Sequence, residues 1–128
     1  MVCAVDAQRE VSLSLGQTLR QPVTSSWGDH LYSCRYVYPA GTVGLSVKEL
    51  PTVDAAATYY TAAHGVTVPG LGQAAYAEPD GSLVVRKDSM VLRVDVHGLA
   101  SAFGQPALSR AEAARRVAAD IMNCWTGN

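Results

Sequence analysis

The segment from Ser82 to Val96, SLVVRKDSMVLRVDV, constrains the fold more than any other part of the chain. Two apolar, β-branched runs flank the polar pair Asp88 and Ser89, the pattern of a hairpin closed by a tight turn. With the turn at that pair, Val85 opposes Leu92 and Leu83 opposes Val94. These four then share one face with Val96, while Arg86, Arg93, Asp95 and His97 share the other with Val84 and Val91. Side chains alternate across a strand with period two, so a two-residue and a four-residue loop give the same faces. The chain therefore has a sheet with an apolar face that other elements must cover.

LYSCRYVY (31 to 38) and TVGLSVKEL (42 to 50), broken by Pro39, Ala40 and Gly41, read as a second hairpin. In it Val43, Leu45 and Val47 face the core, and Gly44, Ser46 and Lys48 face water. QAAYA adds one more strand, separated from SLVVRK by a tight turn at Pro79, Asp80 and Gly81. A first helix is expected from an N-cap at Asp6 to Gly16, with Ala7, Val11 and Leu15 on one stripe, although VSLSL within it also alternates with period two. A second spans 53 to 64, with Val53, Ala56, Ala57, Tyr60 and Ala63 on one stripe, Thr52 as cap and Gly65 as stop. A third follows the capping box of Ser109 and Glu112, its stripe running through Ala114, Val117, Ala118, Ile121, Met122 and Trp125. Glu112 with Arg116, and Arg116 with Asp120, are expected as i,i+4 ion pairs. RQPVTSSWGDH and HGLASAFGQP read as a polar stretch and a connector. The expectation is one α+β domain over residues 1–128: an antiparallel sheet of about five strands with helices packed on one face, in the order α-β-β-α-β-β-β-α.

Ten basic and eleven acidic side chains nearly cancel, which argues against the positive field that nucleic-acid binding requires. No apolar run approaches the roughly 20 residues of a membrane helix. Cys3, Cys34 and Cys124 stand far apart without C-x-x-C pairs, so no metal cluster is expected. Buried free thiols, or one disulfide with a thiol left over, both fit that spacing.

Residues 70 to 75, GLGQAA, match G-x-G-x-x-A, the phosphate loop of dinucleotide-binding folds. Such a loop must open a long helix whose free N–H groups meet the pyrophosphate. Here the Pro79 turn arrives too soon for that helix. The glycines instead read as a turn leading from the second helix into the sheet, and no cofactor is expected.

Several stretches together resemble the actinobacterial envelope lipoprotein domains grouped as DUF3558. They are a Cys before a short helix ending in LG, SCRY opening a strand, GLGQAAY, GSLVVRKDSMVLRVDV, and a terminal Ala-rich helix. The likeness covers most of the chain from Cys3 onward. It implies an exported, lipid-anchored location in the cell envelope, with the signal or anchor outside residues 1–128. It also implies a Cys3–Cys34 bridge. Cys124 has no counterpart in the resemblance, which leaves the other two pairings open.

His30, His64 and His97 are scattered along the chain and read as surface or capping residues. Arg93, Asp95 and His97 share a strand face and could bind an anion or move a proton. Arg86 and Lys87 read as a charged hairpin tip that discourages edge pairing. Trp27 and Tyr36, with Tyr32 and Tyr38, could line a groove beside the first hairpin. No G-x-S-x-G occurs and no catalytic constellation is assigned. The leading expectation is a non-catalytic extracytoplasmic domain that binds a small ligand, an envelope component or a protein, with candidate contacts at Trp27, Tyr36, Arg93, Asp95 and His97. The alternatives are a small secreted enzyme acting through Arg93, Asp95 and His97, and a protein–protein interaction module.

Overall fold

A computed structural model describes residues 2–61 and 65–125. The elements are α1 (Val5–Leu15), β1 (Thr24–Gly28), β2 (Leu31–Tyr38), β3 (Gly41–Glu49), α2 (Val53–Thr61), β4 (Val66–Thr67), β5 (Ala74–Ala77), β6 (Leu83–Lys87), β7 (Met90–Asp95), β8 (Ala102–Phe103), β9 (Leu108–Ser109) and α3 (Arg110–Trp125). Seven strands form one antiparallel sheet in the order β1-β2-β3-β7-β6-β5-β4, and β8 pairs with β9. The five strands expected from the sequence are its centre. β1 and β4 extend it at the two edges, so the sheet has seven strands and not about five. Every residue of β1 and β4 is exposed, so neither carries the apolar alternation by which a strand is read.

The hairpin of β6 and β7 has the register its alternation demands, Val85 opposite Leu92 and Leu83 opposite Val94. The same face continues across β3, where Leu45 pairs with Val94 and Val47 with Leu92. α1 and α3 cover this face and pack on each other, burying Ala7, Val11 and Leu15 of one and Val117, Ala118 and Ile121 of the other. Each fully buried Val or Leu contributes roughly 1.5–3 kcal/mol through loss of apolar surface from water.

α1 begins one residue before the expected cap. Its N-cap is Ala4, and Asp6 sits in the first turn, where it pairs with Arg9 at 2.6 Å. Gly16 closes it in the left-handed region (φ 62°). α3 has the expected capping box: the Glu112 N–H donates to Ser109 Oγ (3.2 Å) and the Ser109 N–H to Glu112 Oε1 (3.3 Å). The two expected i,i+4 pairs do not form. Glu112 is engaged by its cap, the Ser14 hydroxyl donates to Asp120 (2.5 Å), and Arg116 donates to the Ser14 carbonyl (3.4 Å). Tertiary packing against α1 outcompetes solvent-exposed pairs worth only about 0.3–0.5 kcal/mol each.

α2 departs from the expected layering, because it lies on the opposite face. There Ala56 and Tyr60 pack on Tyr76, Val84 and Val91. The two valines that share a face with Arg86, Arg93, Asp95 and His97 form an apolar strip, and α2 shields it. Thr52 caps the helix by accepting from the Ala55 N–H (3.0 Å). Ala63 and the end of the expected stripe lie outside the described residues.

GLGQAA is a turn into β5. Gly72 has φ 53°, and a Cβ there would sit 2.5 Å from the Arg86 carbonyl oxygen. The next residue pins the hairpin tip: Gln73 Oε1 accepts from the Asp88 N–H (2.8 Å) and Gln73 Nε2 donates to the Asp88 carboxylate (2.9 Å). A strand, not a helix, follows the glycines, which removes the N-terminal dipole a phosphate would need.

Cys3 and Cys34 form a disulfide across a Cα–Cα distance of 5.7 Å, and Cys124 is an exposed free thiol. The bridge ties the start of α1 to β2, where the Tyr36 hydroxyl also donates to the Val2 carbonyl (2.6 Å). Its 31-residue separation implies about 3.7 kcal/mol of stabilisation by restriction of the unfolded chain. The Cys3→Ala/Cys34→Ala protein is therefore expected to lose about that much in urea unfolding. Non-reducing peptide mapping should recover one cross-linked pair, Cys3 with Cys34, and an unmodified Cys124.

Candidate functional site

The sheet face opposite α1 and α3 carries the polar residues of β2, β3 and β7, and α2 covers only part of it. Ser33, Ser46 and Arg93 lie in one row across β2, β3 and β7, and Arg35, Gly44 and Asp95 in the next. Between this bank and α2 is a cavity of about 380 Å³. Its apolar walls are Leu31, Tyr59, Tyr60, Tyr76, Val84 and Val91, and its polar side is Ser46, Lys48, Glu78 and Arg93.

Packing orients the aromatic wall. The rings of Tyr60 and Tyr76 meet edge to face at 5.1 Å, and the Arg86 guanidinium lies 5.9 Å from the Tyr60 ring centroid. Burial pushes the Tyr60 hydroxyl above the ordinary phenol range, against the pull of Arg86. Burial also raises Tyr76, with Glu78 and Tyr60 adding to it and Arg93 opposing. Both are neutral phenols at physiological pH. None of the Tyr59, Tyr60 and Tyr76 hydroxyls has a hydrogen-bond partner among the described residues, so all three can donate to or accept from a ligand.

On the polar side, Arg93 bridges two carboxylates, Nη2 to Glu78 at 2.7 Å and Nη1 to Asp95 at 3.0 Å. Partial burial opposes its charge, but the bonds to Glu78 and Asp95 outweigh that and raise its pKa. Lys48 donates to the Asp29 carbonyl at 2.6 Å and has no carboxylate partner among the described residues. Two cations and one carboxylate thus line the cavity, an excess of one positive charge.

Arg93, Asp95 and His97 come together, but only Arg93 and Asp95 do so as strand neighbours; His97 lies in the turn beyond β7. Asp95 Oδ1 accepts from the His97 backbone (3.0 Å) and contacts His97 Nδ1 (2.5 Å). Burial would raise the Asp95 carboxyl, but the bonds from the His97 side chain and backbone and from Arg93 hold it below the ordinary carboxylate range. Buried Ser82, which the sequence reading did not single out, anchors this corner: its hydroxyl accepts from the Val96 N–H (3.0 Å) and reaches Asp95 at 3.5 Å. Asp80, Asp95 and His97 bring ligand-type atoms within 4.8 Å of one another. Arg93 and His97 already engage the Asp95 oxygens, and the Ser82 N–H engages Asp80 at 2.8 Å, so a cation there would compete with a guanidinium. Beside His97, Arg35, Thr42, Gly44 and Asp95 line a second cavity of about 370 Å³.

The other two candidate contacts lie elsewhere. Tyr36 is wholly buried on the helix-covered face and cannot line a groove. Its alternation with Cys34 and Tyr38 marks a core position. Trp27 stands on edge strand β1, stacked on Tyr32 with centroids 3.9 Å apart. Tyr59, Tyr60 and Tyr76, which line the first cavity, are not among the residues the sequence singles out as candidate contacts. The signal was available in part, since Tyr59 adjoins the α2 stripe through Tyr60. His64 lies outside the described residues.

No family profile, curated protein or solved structure matches this chain.

For a carboxyl held low by its native partners, the linkage has a definite sign. The stabilisation is present above the unfolded pKa of about 3.9 and is lost as pH falls through the lower folded value. Asp95→Asn should therefore flatten the acid limb of a stability–pH curve below about pH 4. Urea unfolding followed from pH 7 to pH 2 tests this; an acid limb as steep as the parent's excludes Asp95 as a source.

Proposed function

We propose that this chain is a non-catalytic extracytoplasmic binding domain, of the envelope type its sequence resembles. Its site is the groove between α2 and the polar sheet face, and its ligand is a small molecule with an aromatic or apolar body and an acidic group. The observation that carries this reading is that Tyr59, Tyr60 and Tyr76, whose hydroxyls have no hydrogen-bond partner among the described residues, line one cavity with Lys48. Apolar walls with a few convergent polar groups are the usual anatomy of a small-molecule site. The Cys3–Cys34 bridge supports an oxidising compartment. Among the described residues, no helix is long and apolar enough to cross a membrane. A non-catalytic role is favoured because, among the described residues, the His97 ring is bonded to Asp95 and to no Ser, Thr or Cys nucleophile.

The Asp95–His97 contact beside the second cavity favours one alternative, a proton-transfer enzyme. In that case an activity would vanish in His97→Ala while the fold persisted.

The probe for the groove is 1-anilinonaphthalene-8-sulfonate, whose fluorescence rises on entering an apolar site, displaced by 3-phenylpropionate. Tyr60→Ala and Lys48→Ala should each weaken binding about tenfold, the loss of roughly 1.4 kcal/mol expected for a stacked ring or a charge-assisted bond. Amide shift changes should cluster at residues 46–48, 59–60 and 76–78. Shifts elsewhere, or an affinity unchanged from the parent's in both variants, would refute the assignment.

A further inference from the structure

We infer that β1 is a self-recognition edge, through which two copies of this chain pair antiparallel across a two-fold axis. The inference is independent of the groove.

β1 and β2 are joined by Asp29 and His30, both with positive φ (52° and 58°), the two-residue turn that closes a tight hairpin. The residues flanking such a turn, Gly28 and Leu31, exchange both backbone hydrogen bonds, and pairs along the ladder then alternate. Hence Gly28, Ser26 and Thr24 bond to β2, and Ser25 and Trp27 direct their N–H and C=O groups outward. Two recorded bonds confirm this parity. His30 offers its carbonyl to Glu49 of β3 (2.8 Å), so odd residues of β2 point the other way, and Val37 accordingly accepts from Arg20 (2.8 Å) beyond the end of β1.

The free edge has none of the usual defences. TSSWG carries no charge, no Pro and no bulge, and all five residues are exposed. At the other end of the sheet, β4 has only two residues. A head-to-tail chain of sheets, β1 on β4, would therefore have almost no ladder, whereas β1 on β1 closes as a dimer. Only registers that match outward residues to outward residues can form. Pairing about Ser26 does so, placing Ser25 opposite Trp27 of the second copy and keeping all five residues in the ladder.

That register also brings together two charges that lack partners. Arg35 sits beside Thr24, and Thr24 falls opposite Gly28 of the second copy, next to its Asp29. Two strand spacings separate the backbones of Arg35 and that glycine, about 10 Å, and no side chain intervenes at the glycine. Neither Arg35 nor Asp29 forms an ion pair among the described residues, and the two-fold axis uses the match twice. The second copy is therefore favoured over an arbitrary extended peptide.

Sedimentation equilibrium of the Cys124→Ser protein, which cannot cross-link through its exposed thiol, tests the proposal. The expected result is a reversible, concentration-dependent dimer, with the amides of Ser25 and Trp27 gaining protection from hydrogen exchange as concentration rises. Ser25→Pro removes an outward N–H that the fold does not use, so it should keep the parent's thermal midpoint and weaken association at least tenfold. Asp29→Asn and Arg35→Gln should each weaken it several-fold, and together no more than either alone. A protein that stays monomeric to millimolar concentration overturns the proposal. So does an unchanged association constant in Ser25→Pro, or capture of extended peptides at β1 without self-association.

Discussion

The pairing of β3 with β7 is the contact on which the rest of the structure depends. It joins residues about fifty positions apart and places Leu45 against Val94 and Val47 against Leu92. Those four complete the apolar face that α1 and α3 cover. A slip of one residue would turn every one of these side chains toward the opposite face. Both hairpins carry strong local alternation, so each arrives with its face decided, and the long-range pairing has one register that keeps the apolar side continuous. The chain leaving β7 is held by the same junction, where the Thr42 N–H donates to the Gly98 carbonyl (3.1 Å) and the Ala100 N–H to the Ala40 carbonyl (2.9 Å). A Cβ at Gly41 would collide with that Gly98 carbonyl, so the two chain segments can approach this closely only because both positions are glycine.

The candidate site follows from the same register. Once Leu92 and Val94 point inward, Val91, Arg93 and Asp95 must point outward, beside Ser46 and Gly44 of β3. The second face is therefore mixed, apolar toward β6 and polar toward β2. α2 shields the apolar strip and leaves the polar bank open, and the groove is the boundary between them. Of the two cations on it, Arg93 is bonded to Glu78 and Asp95, while Lys48 has no carboxylate partner among the described residues.

The pairing of Arg93 with Asp95 was legible because residues at alternate positions of one strand must share a face, whereas His97 stands in the turn beyond β7 and reaches Asp95 through that turn. The tyrosines of the groove were not legible. Tyr60 falls on the buried stripe of α2 in a helical reading, which says that it packs but not on which face of the sheet. Tyr36 erred in the other direction. Its exposure could not be judged without knowing which face of β2 the helices cover, and alternation alone treats the two faces alike. β1 was invisible for another reason: a strand exposed on both faces has no hydrophobic period to read.

By itself the sequence determined the central five strands, their facing residues, the capping of α3, the left-handed stop of α1 at Gly16 and the turn at the glycine motif. Each depends on interactions within a few residues, where backbone geometry and period leave few alternatives. The tertiary structure alone decided that α2 lies on the second face, that Asp120 and Arg116 turn to Ser14 and not to each other or to Glu112, that Cys34 meets Cys3 while Cys124 stays free, and that the sheet has edges at β1 and β4. These outcomes depend on partners distant in sequence, whose competing energies are of similar size and are settled only when the layers close.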